Sequence, residues 1–316
     1  MASDPPEVCI LSHQLPKSVA RRGPLSTWIV RHTLTAATRL ARILPTPAAY
    51  AIADGCGMAT FYVWRTGRRN ALSNFAHVLG LSQQADQVRR IARRSFCYHL
   101  RMGVDVFKHL SLSDERLRQE LVIEGASNLS LARERGKGVI LVAPHLGNWE
   151  AGVNANCFLG DHQAIAVVDE GLLPDLVARS RDRARLALVH RSKSLRPVLR
   201  TLASNGIVVL VSDLALDMRS VSVQFFGRTS HVPVGPALLA RKTGASLMPL
   251  YAIRNHEQKT RVVFESPFVP TLTESVDDDL RTISQWMTNF FERVIRENLE
   301  QWYPYQQYWT DHATAP

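Results

Sequence analysis

The chain has 316 residues, of which 46% are hydrophobic and 21% are charged, so wholesale disorder is excluded and a sizeable core can form. The formal net charge is +10, and residues 1–110 account for all of it, with 15 basic and 5 acidic side chains. Residues 111–316 carry 23 of each sign, and this asymmetry favours one surface attracted to anions over a nucleic-acid binder with positive charge throughout.

The four cysteines are scattered along the chain and show no CxxC spacing. This pattern argues against a disulfide framework and against a structural zinc site, and it is typical of reduced cytosolic thiols. The sequence therefore predicts neither a metal nor a bound cofactor. The first residues also lack the basic and apolar regions of a secretory signal.

Residues 1–24 show no periodicity and are predicted to be a flexible tail. From residue 25 to residue 110, apolar residues recur near the helical period with arginines between them, which predicts helices that include 47–64 and 86–109. Basic amphipathic helices are typical of membrane surfaces. The weakly charged stretch 43–64 is rich in Ala, Gly and Thr, which favours a segment lying on the membrane over one crossing it. A single N-terminal anchor remains the alternative.

After residue 110 the pattern changes to short apolar runs that alternate with helical segments. The run at 138–144 is continuously apolar, which predicts a fully buried strand. Similar runs predict strands at 164–168, 186–189, 207–212, 246–252 and 261–265, with helices at 173–185, 195–203 and 236–242 and a last helix at 277–300. Residues 111–316 are therefore predicted to form an α/β domain with a mainly parallel central sheet flanked by helices.

A candidate catalytic pair, His145 and Glu150, directly follows the first predicted strand. Ligands of open α/β sheets gather at the carboxyl ends of the strands. Residues five apart lie about 140° around a helix, so the two side chains can meet only if His145 is in the loop and Glu150 in the first helical turn. Gly147 would allow that bend. The alternative is that His145 only caps the helix that follows.

Such a pair makes a general base, because a carboxylate on one imidazole nitrogen leaves the other to take a proton. Neither Ser nor Cys adjoins the pair, which favours direct attack by a substrate hydroxyl on an activated acyl group. His109 and Asp114 share the same spacing without a preceding strand, and we interpret them as structural.

Further blocks accompany this pair in the order found in a known family. They comprise the segment LVAPHLGNWE around His145, followed by residues 211–213 (VSD), 225–228 (FFGR), 233–237 (PVGPA) and 242–245 (KTGA). Residues 65–80 contain an RRN helix, and residues 302–312 form an aromatic tail. Together these blocks resemble the bacterial lipid A biosynthesis acyltransferases, within the wider lysophospholipid acyltransferase superfamily.

The resemblance implies transfer of a fatty acyl chain from an acyl carrier protein or coenzyme A thioester to a hydroxyl of a membrane lipid, with no covalent enzyme intermediate. His145 would be the general base and Glu150 its orienting carboxylate. The other implied site residues would bind substrate: Arg185, Arg183, Asp213, Arg228 and Asn148. The stretch 179–185 contains four arginines and fits the family pattern in more than one way, so Arg185 is the first choice and a solvated helix face the alternative.

The expected acceptor is a lipid A-type or other glycolipid at the cytoplasmic face of a bacterial inner membrane. A lysophospholipid or a phosphatidylinositol mannoside is the alternative acceptor. A non-catalytic membrane-binding protein and a soluble thioester hydrolase are the alternatives of a different class. The predicted partners are the acceptor lipid, the acyl donor and an anionic membrane surface, and no nucleic acid.

Overall fold

A computed structural model describes residues 39–40, 43–109, 112–155, 159–160, 163–168, 186–215, 219–255 and 259–309. The predicted tail at 1–24 and the predicted helix at 173–185 lie outside these residues. Residues 39–40 and 43 are helical, and three longer helices follow, α1 Thr46–Val63, α2 Arg65–Leu79 and α3 Asp86–His109. The helices predicted at 47–64 and 86–109 are thus confirmed. None of the described helices combines the length and apolar character needed to cross a bilayer.

Strands and helices then alternate along the chain. The strands are β1 Leu121–Glu124, β2 Val139–Ala143, β3 Ala164–Val168, β4 Leu186–His190, β5 Ile207–Val211, β6 Ser220–Phe225, β7 Arg228–Pro233, β8 Ser246–Arg254 and β9 Thr260–Phe264. The helices are α4 Asp114–Glu120, α5 Ala126–Glu134, α6 Trp149–Ala155, α7 Leu195–Ala203, α8 Gly235–Thr243 and α9 Val276–Glu297. Short 3₁₀ turns follow at Arg191–Lys193 and Leu299–Gln301.

Within the described residues, seven strands form one sheet in the order β1-β9-β8-β2-β5-β3-β4. Strands β8, β2, β5, β3 and β4 run parallel, whereas β9 pairs antiparallel with β8 and carries β1 at the edge. Strands β6 and β7 form a separate antiparallel hairpin. The prediction of a mainly parallel central sheet flanked by helices is confirmed.

The sheet is buried on both faces, which explains why β2 is continuously apolar. Ile140 and Val142 point to a core shared with α1, α2, α3, α8 and α9, whereas Val139 and Leu141 point to a core shared with α4, α5 and α6. Alternating residues of a strand face opposite sides, so both sets must be apolar. Each buried aliphatic side chain of this size stabilises the fold by about 1.5–3 kcal/mol.

The N-terminal helices belong to the same core as the sheet. Phe61, Phe75 and Phe96, from α1, α2 and α3, are buried in the cluster that contains Ile140 and Val142. An ion pair between Arg101 on α3 and Asp54 on α1 joins two of these helices, with Nε and Oδ1 2.6 Å apart. The N-terminal helices are therefore packed against the α/β part of the chain.

Strand β1 and the β6–β7 hairpin were not among the predicted strands. Strand β1 has four residues and lies at the sheet edge, where a short run gives little signal. The hairpin alternates exposed and buried residues and turns at Phe226 and Gly227, which have φ of +50° and +75°. Phe225 and Val223 are buried core residues.

Candidate active site

The central feature of the site is a histidine–aspartate pair at the ends of two adjacent parallel strands. His145 follows β2 by two residues and Asp213 follows β5 by two residues. The last residues of these strands, Ala143 and Val211, are paired in the sheet, and the N–H of Ser212 donates to the Ala143 carbonyl at 2.9 Å. This register brings the two side chains to the same level, with His145 Nδ1 2.6 Å from Asp213 Oδ1.

The Asp213 carboxylate is buried, and both of its oxygens accept hydrogen bonds. Its Oδ2 accepts the backbone N–H of His145 at 3.1 Å and the hydroxyl of Tyr308 at 2.7 Å. Burial alone would raise the pKa of Asp213, but the charge of His145 and the hydrogen bonds from His145 and Tyr308 hold this pKa below its ordinary value. The carboxylate therefore stays ionised at neutral pH.

The loop that carries His145 is fixed by backbone hydrogen bonds from two directions. The N–H of Gly147 donates to the Gln301 carbonyl at 2.8 Å, and the N–H of Asn148 donates to the Ala252 carbonyl on β8 at 2.7 Å. Gly147 has φ +59°, and a Cβ built there would lie 2.0 Å from the Ala252 oxygen. The predicted bend at Gly147 is confirmed, and only glycine fits it.

The imidazole of His145 lies at the surface while its partner is buried. The His145 side chain is 40% exposed and that of Asp213 is 0% exposed. The ring of Trp149 meets the His145 ring edge-on at a centroid distance of 5.7 Å. A carboxylate bound at Nδ1 fixes the tautomer with the proton on Nδ1, so Nε2 becomes the basic nitrogen. This arrangement has the features that a general base needs, and the catalytic role of His145 stays a prediction.

Glu150 lies in the first turn of α6 and is buried, so the predicted placement of His145 in the loop and Glu150 in the helix is confirmed. The carboxylate on His145 Nδ1 is that of Asp213. The orienting role assigned to Glu150 stays a prediction.

Asn148 is also buried, and its Oδ1 accepts the backbone N–H of Ala151 at 3.0 Å, which caps α6. Its role in substrate binding stays a prediction.

Comparison with known proteins shows the family of the chain. The sequence model described as bacterial lipid A biosynthesis acyltransferase matches residues 16–311. The chain belongs to this family. It is also similar to a phosphatidylinositol mannoside acyltransferase of Mycolicibacterium smegmatis, with 27% identity over 303 residues that cover 92% of this chain and 95% of the relative. A protein of the same description from Mycobacterium tuberculosis is 27% identical over 264 residues, which cover 79% of this chain and 80% of the relative.

Of the three arginines predicted to bind substrate, the structure describes one. Arg183 and Arg185 lie outside the described residues. Arg228 is exposed at the first residue of β7, near the hairpin turn. It lies close to His77 on α2, where burial and the Arg228 charge lower the pKa of His77. Its contact with a substrate phosphate or carboxylate stays a prediction.

The candidate site includes neighbours that the sequence did not indicate. His99 on α3 stacks edge-on against Tyr303 at 4.7 Å, and Tyr303 in turn contacts Trp149 at 5.7 Å. Burial and the nearby His145 lower the pKa of His99 to about 4, so His99 is neutral at pH 7. Tyr308, the hydroxyl donor to Asp213, lies in the aromatic tail that sequence comparison had marked without assigning a role.

A second buried polar cluster ties the N-terminal helices to the strand beside the loop. Asp105 on α3 forms an ion pair with Arg254 on β8 and accepts a hydrogen bond from the hydroxyl of Tyr50 on α1. Arg254 is also joined to Gln301 by two hydrogen bonds of 2.8 and 3.0 Å.

Among the described residues, no group of three or more His, Cys, Asp or Glu side chains could hold a metal ion.

Proposed function

We propose that this acyltransferase moves a fatty acyl chain from an acyl thioester directly to a hydroxyl of a glycosylated membrane lipid. The observation that carries the proposal is the hydrogen bond of 2.6 Å between His145 Nδ1 and the buried Asp213 carboxylate. It prepares Nε2 to act as the base that such a transfer needs.

The proposed step is a single displacement. His145 Nε2 takes the proton of the acceptor hydroxyl while the hydroxyl oxygen attacks the thioester carbonyl carbon. The tetrahedral intermediate then collapses, the C–S bond breaks, and the leaving sulfur takes the proton from the imidazolium. The products are the lipid ester and the free thiol of the carrier. Asp213 stabilises the imidazolium between these two proton transfers, because its negative charge is buried beside the ring.

A phosphatidylinositol mannoside is our first candidate for the acceptor. The support comes from the two mycobacterial relatives, which carry that substrate in their descriptions and match most of this chain. A lipid A-type acceptor is the second candidate, since the family itself is described by lipid A biosynthesis. Both acceptors offer sugar hydroxyls attached to a membrane lipid, and the same base chemistry serves either one.

An acceptor panel tests this proposal. The purified protein would be incubated with acyl carrier protein and coenzyme A thioesters and with vesicles holding a phosphatidylinositol mannoside, a lipid A precursor or a lysophospholipid, and the products would be weighed by mass spectrometry. We expect a sugar-bearing lipid to gain one acyl group in exchange for one hydrogen. Consumption of the thioester with water alone would indicate a thioester hydrolase, and acylation confined to the lysophospholipid would contradict the glycolipid acceptor.

Membrane association is the second part of the proposal. We propose that the N-terminal helices bind the cytoplasmic face of the inner membrane, where the same basic surface can also receive an acidic carrier protein. The support is the positive charge of residues 1–110 together with apolar side chains that α1 and its ends leave exposed, among them Ile43, Ile52, Val63 and Trp64. Exposed apolar groups next to arginines suit an anionic lipid surface.

Charge reversal on α3 tests this association. Arg89 and Arg90 are exposed on this helix, and we expect their double replacement by Glu to weaken partitioning onto anionic vesicles by about tenfold or more, because each basic residue near the surface contributes about 1 kcal/mol. Double replacement of the exposed Lys137 and Lys242 by Glu changes the net charge equally outside the N-terminal helices. Co-sedimentation measures both pairs, and equal losses would contradict a surface confined to α1–α3.

A further inference from the structure

Residues 302–309, which we call the C-terminal strap, reach the catalytic pair at two points. The backbone N–H of Tyr303 donates to the carbonyl of His145 at 3.0 Å. The hydroxyl of Tyr308 donates to Asp213 Oδ2 at 2.7 Å, and this bond is buried. The strap therefore contacts both members of the pair, although it lies far from each of them in the sequence.

Tyr308 completes the hydrogen bonding of the Asp213 carboxylate. Within the described residues, the other two bonds to that carboxylate both come from His145, one from the ring and one from the backbone. Among the described residues, Tyr308 is thus the donor to this carboxylate that does not belong to His145, and it comes from a segment 95 residues further along the sequence. A carboxylate held from two independent elements cannot rotate about its Cβ–Cγ bond without losing a buried hydrogen bond. This restraint keeps Oδ1 directed at Nδ1.

The Tyr308 ring is itself held rigidly by aromatic packing. It is buried and contacts the rings of Trp302 at 5.1 Å, Phe225 at 5.8 Å and Trp309 at 5.8 Å. The backbone carbonyl of Tyr308 also accepts a hydrogen bond from Ser230 Oγ on the hairpin at 2.8 Å. Tyrosine in such a setting has few alternative rotamers, so its hydroxyl has a defined position.

The strap is anchored to the N-terminal helix α2 by two asparagines. Asn74 is 2% exposed, and its Nδ2 donates to the carbonyls of Pro304 at 2.9 Å and Gln306 at 2.7 Å. Asn70 donates to the Tyr305 carbonyl at 2.9 Å. Three consecutive carbonyls of the strap are therefore bound by one face of one helix, which fixes the strap lengthwise. These asparagines belong to the segment 65–80 that resembles the family's RRN helix.

We propose that the C-terminal strap belongs to the catalytic apparatus, with Tyr308 as a positioning residue for Asp213 and with Asn70 and Asn74 holding the strap in place. The inference rests on the proposed function for its kinetic consequence, but its geometric content is independent of the substrate. In this proposal the RRN helix and the aromatic tail act together to hold the His145–Asp213 pair in position from outside the sheet.

Tyr308→Phe tests the role of the hydroxyl with the smallest possible change. We expect kcat for acyl transfer to fall about tenfold with KM nearly unchanged, because one buried hydrogen bond to a charged group is lost. The second measurement needs no substrate. The Nδ1–H proton of His145, assigned in the NMR spectrum by its loss in His145→Gln, should shift in Tyr308→Phe because its carboxylate acceptor has lost a donor.

Tyr251→Phe is the matched control, since it removes a buried hydroxyl that lies outside the strap. Tyr251 is 5% exposed, compared with 4% for Tyr308, and its hydroxyl is hydrogen-bonded with Arg261 rather than with Asp213. We expect Tyr251→Phe to keep kcat and the Nδ1–H resonance of His145. An unshifted resonance and an unchanged kcat in Tyr308→Phe would overturn the inference. Wild-type protein without acyl transfer would instead refute the proposed function, and the resonance would still report on the strap.

Asn74→Asp tests the anchor, because it keeps the shape of the side chain but removes both donors to the strap carbonyls. We expect it to shift the same resonance and to lower kcat as Tyr308→Phe does. Asn128→Asp is its matched control, since Asn128 Nδ2 binds the Phe264 carbonyl at 2.9 Å elsewhere in the fold. Equal effects of Asn74→Asp and Asn128→Asp on the His145 resonance would contradict a specific anchor.

Discussion

Replacing His145 with Gln is expected to lower kcat for acyl transfer by about 10²- to 10⁴-fold, the usual contribution of a general base. Glutamine has a similar length and can form hydrogen bonds, but it cannot take the proton of the acceptor hydroxyl. KM for the lipid should change little, since the interaction that is lost develops in the transition state. Initial rates at saturating donor and varied acceptor measure both constants.

His231→Gln is the control for this variant, because it makes the same substitution at an exposed position on β7. It should retain full activity. Thermal unfolding of His145→Gln should match that of the wild type, since the His145 side chain is 40% exposed and its backbone contacts remain. If His145→Gln kept more than a tenth of wild-type activity, the proposed mechanism would be wrong.

Asp213→Asn is expected to give a loss of about 10²- to 10⁴-fold in kcat while the fold persists. The asparagine amide can present an N–H to Nδ1, which moves the imidazole proton to Nε2 and removes the basic nitrogen that faces the substrate. The variant also loses the negative charge that would stabilise the imidazolium. One oxygen remains to accept hydrogen bonds from the His145 backbone or from Tyr308, so the site keeps its shape.

Asp279→Asn separates this effect from a general loss of a buried carboxylate. Asp279 is also buried, and it binds Arg241 at 2.8 Å and Thr273, in contacts that do not involve the His145–Asp213 pair. It should lower the midpoint of thermal unfolding without a comparable change in kcat. A large loss of kcat in Asp279→Asn would assign the effect to stability, and a small loss in Asp213→Asn would contradict the role of Asp213 beside the base.

The sequence predicted the central sheet well because its strands are buried on both faces. A short, continuously apolar run such as 139–143 is typical of a strand that is buried on both faces. Helical periodicity likewise located α3 and α9. The hairpin and β1 were missed because their residues are half exposed, so hydrophobicity alone does not distinguish them from loops.

The site was predicted in part. The strand that precedes His145 marked it as a candidate base, and the spacing pointed to Glu150 as a partner, a role that stays a prediction. Asp213 lies 68 residues away, and its bond to Nδ1 depends on β5 lying beside β2 although β3 and β4 come between them in the chain. Family resemblance drew attention to Asp213, but it could not show that contact. The hydroxyl of Tyr308, 95 residues further on, depends on the position of the strap.

The hydrogen bonds from Asn74 to the strap span about 230 residues of sequence, and this span has a consequence during synthesis on the ribosome. The chain emerges from its N-terminus, so α2 is available long before residues 304–306 exist. His145 and Asp213 receive their last partners only when the strap has been translated and has docked against α2. In a nascent chain the His145–Asp213 pair therefore lacks its contacts with the strap. Contacts between residues so far apart in the sequence are also slow to form. The final step of folding and the appearance of activity are expected to coincide.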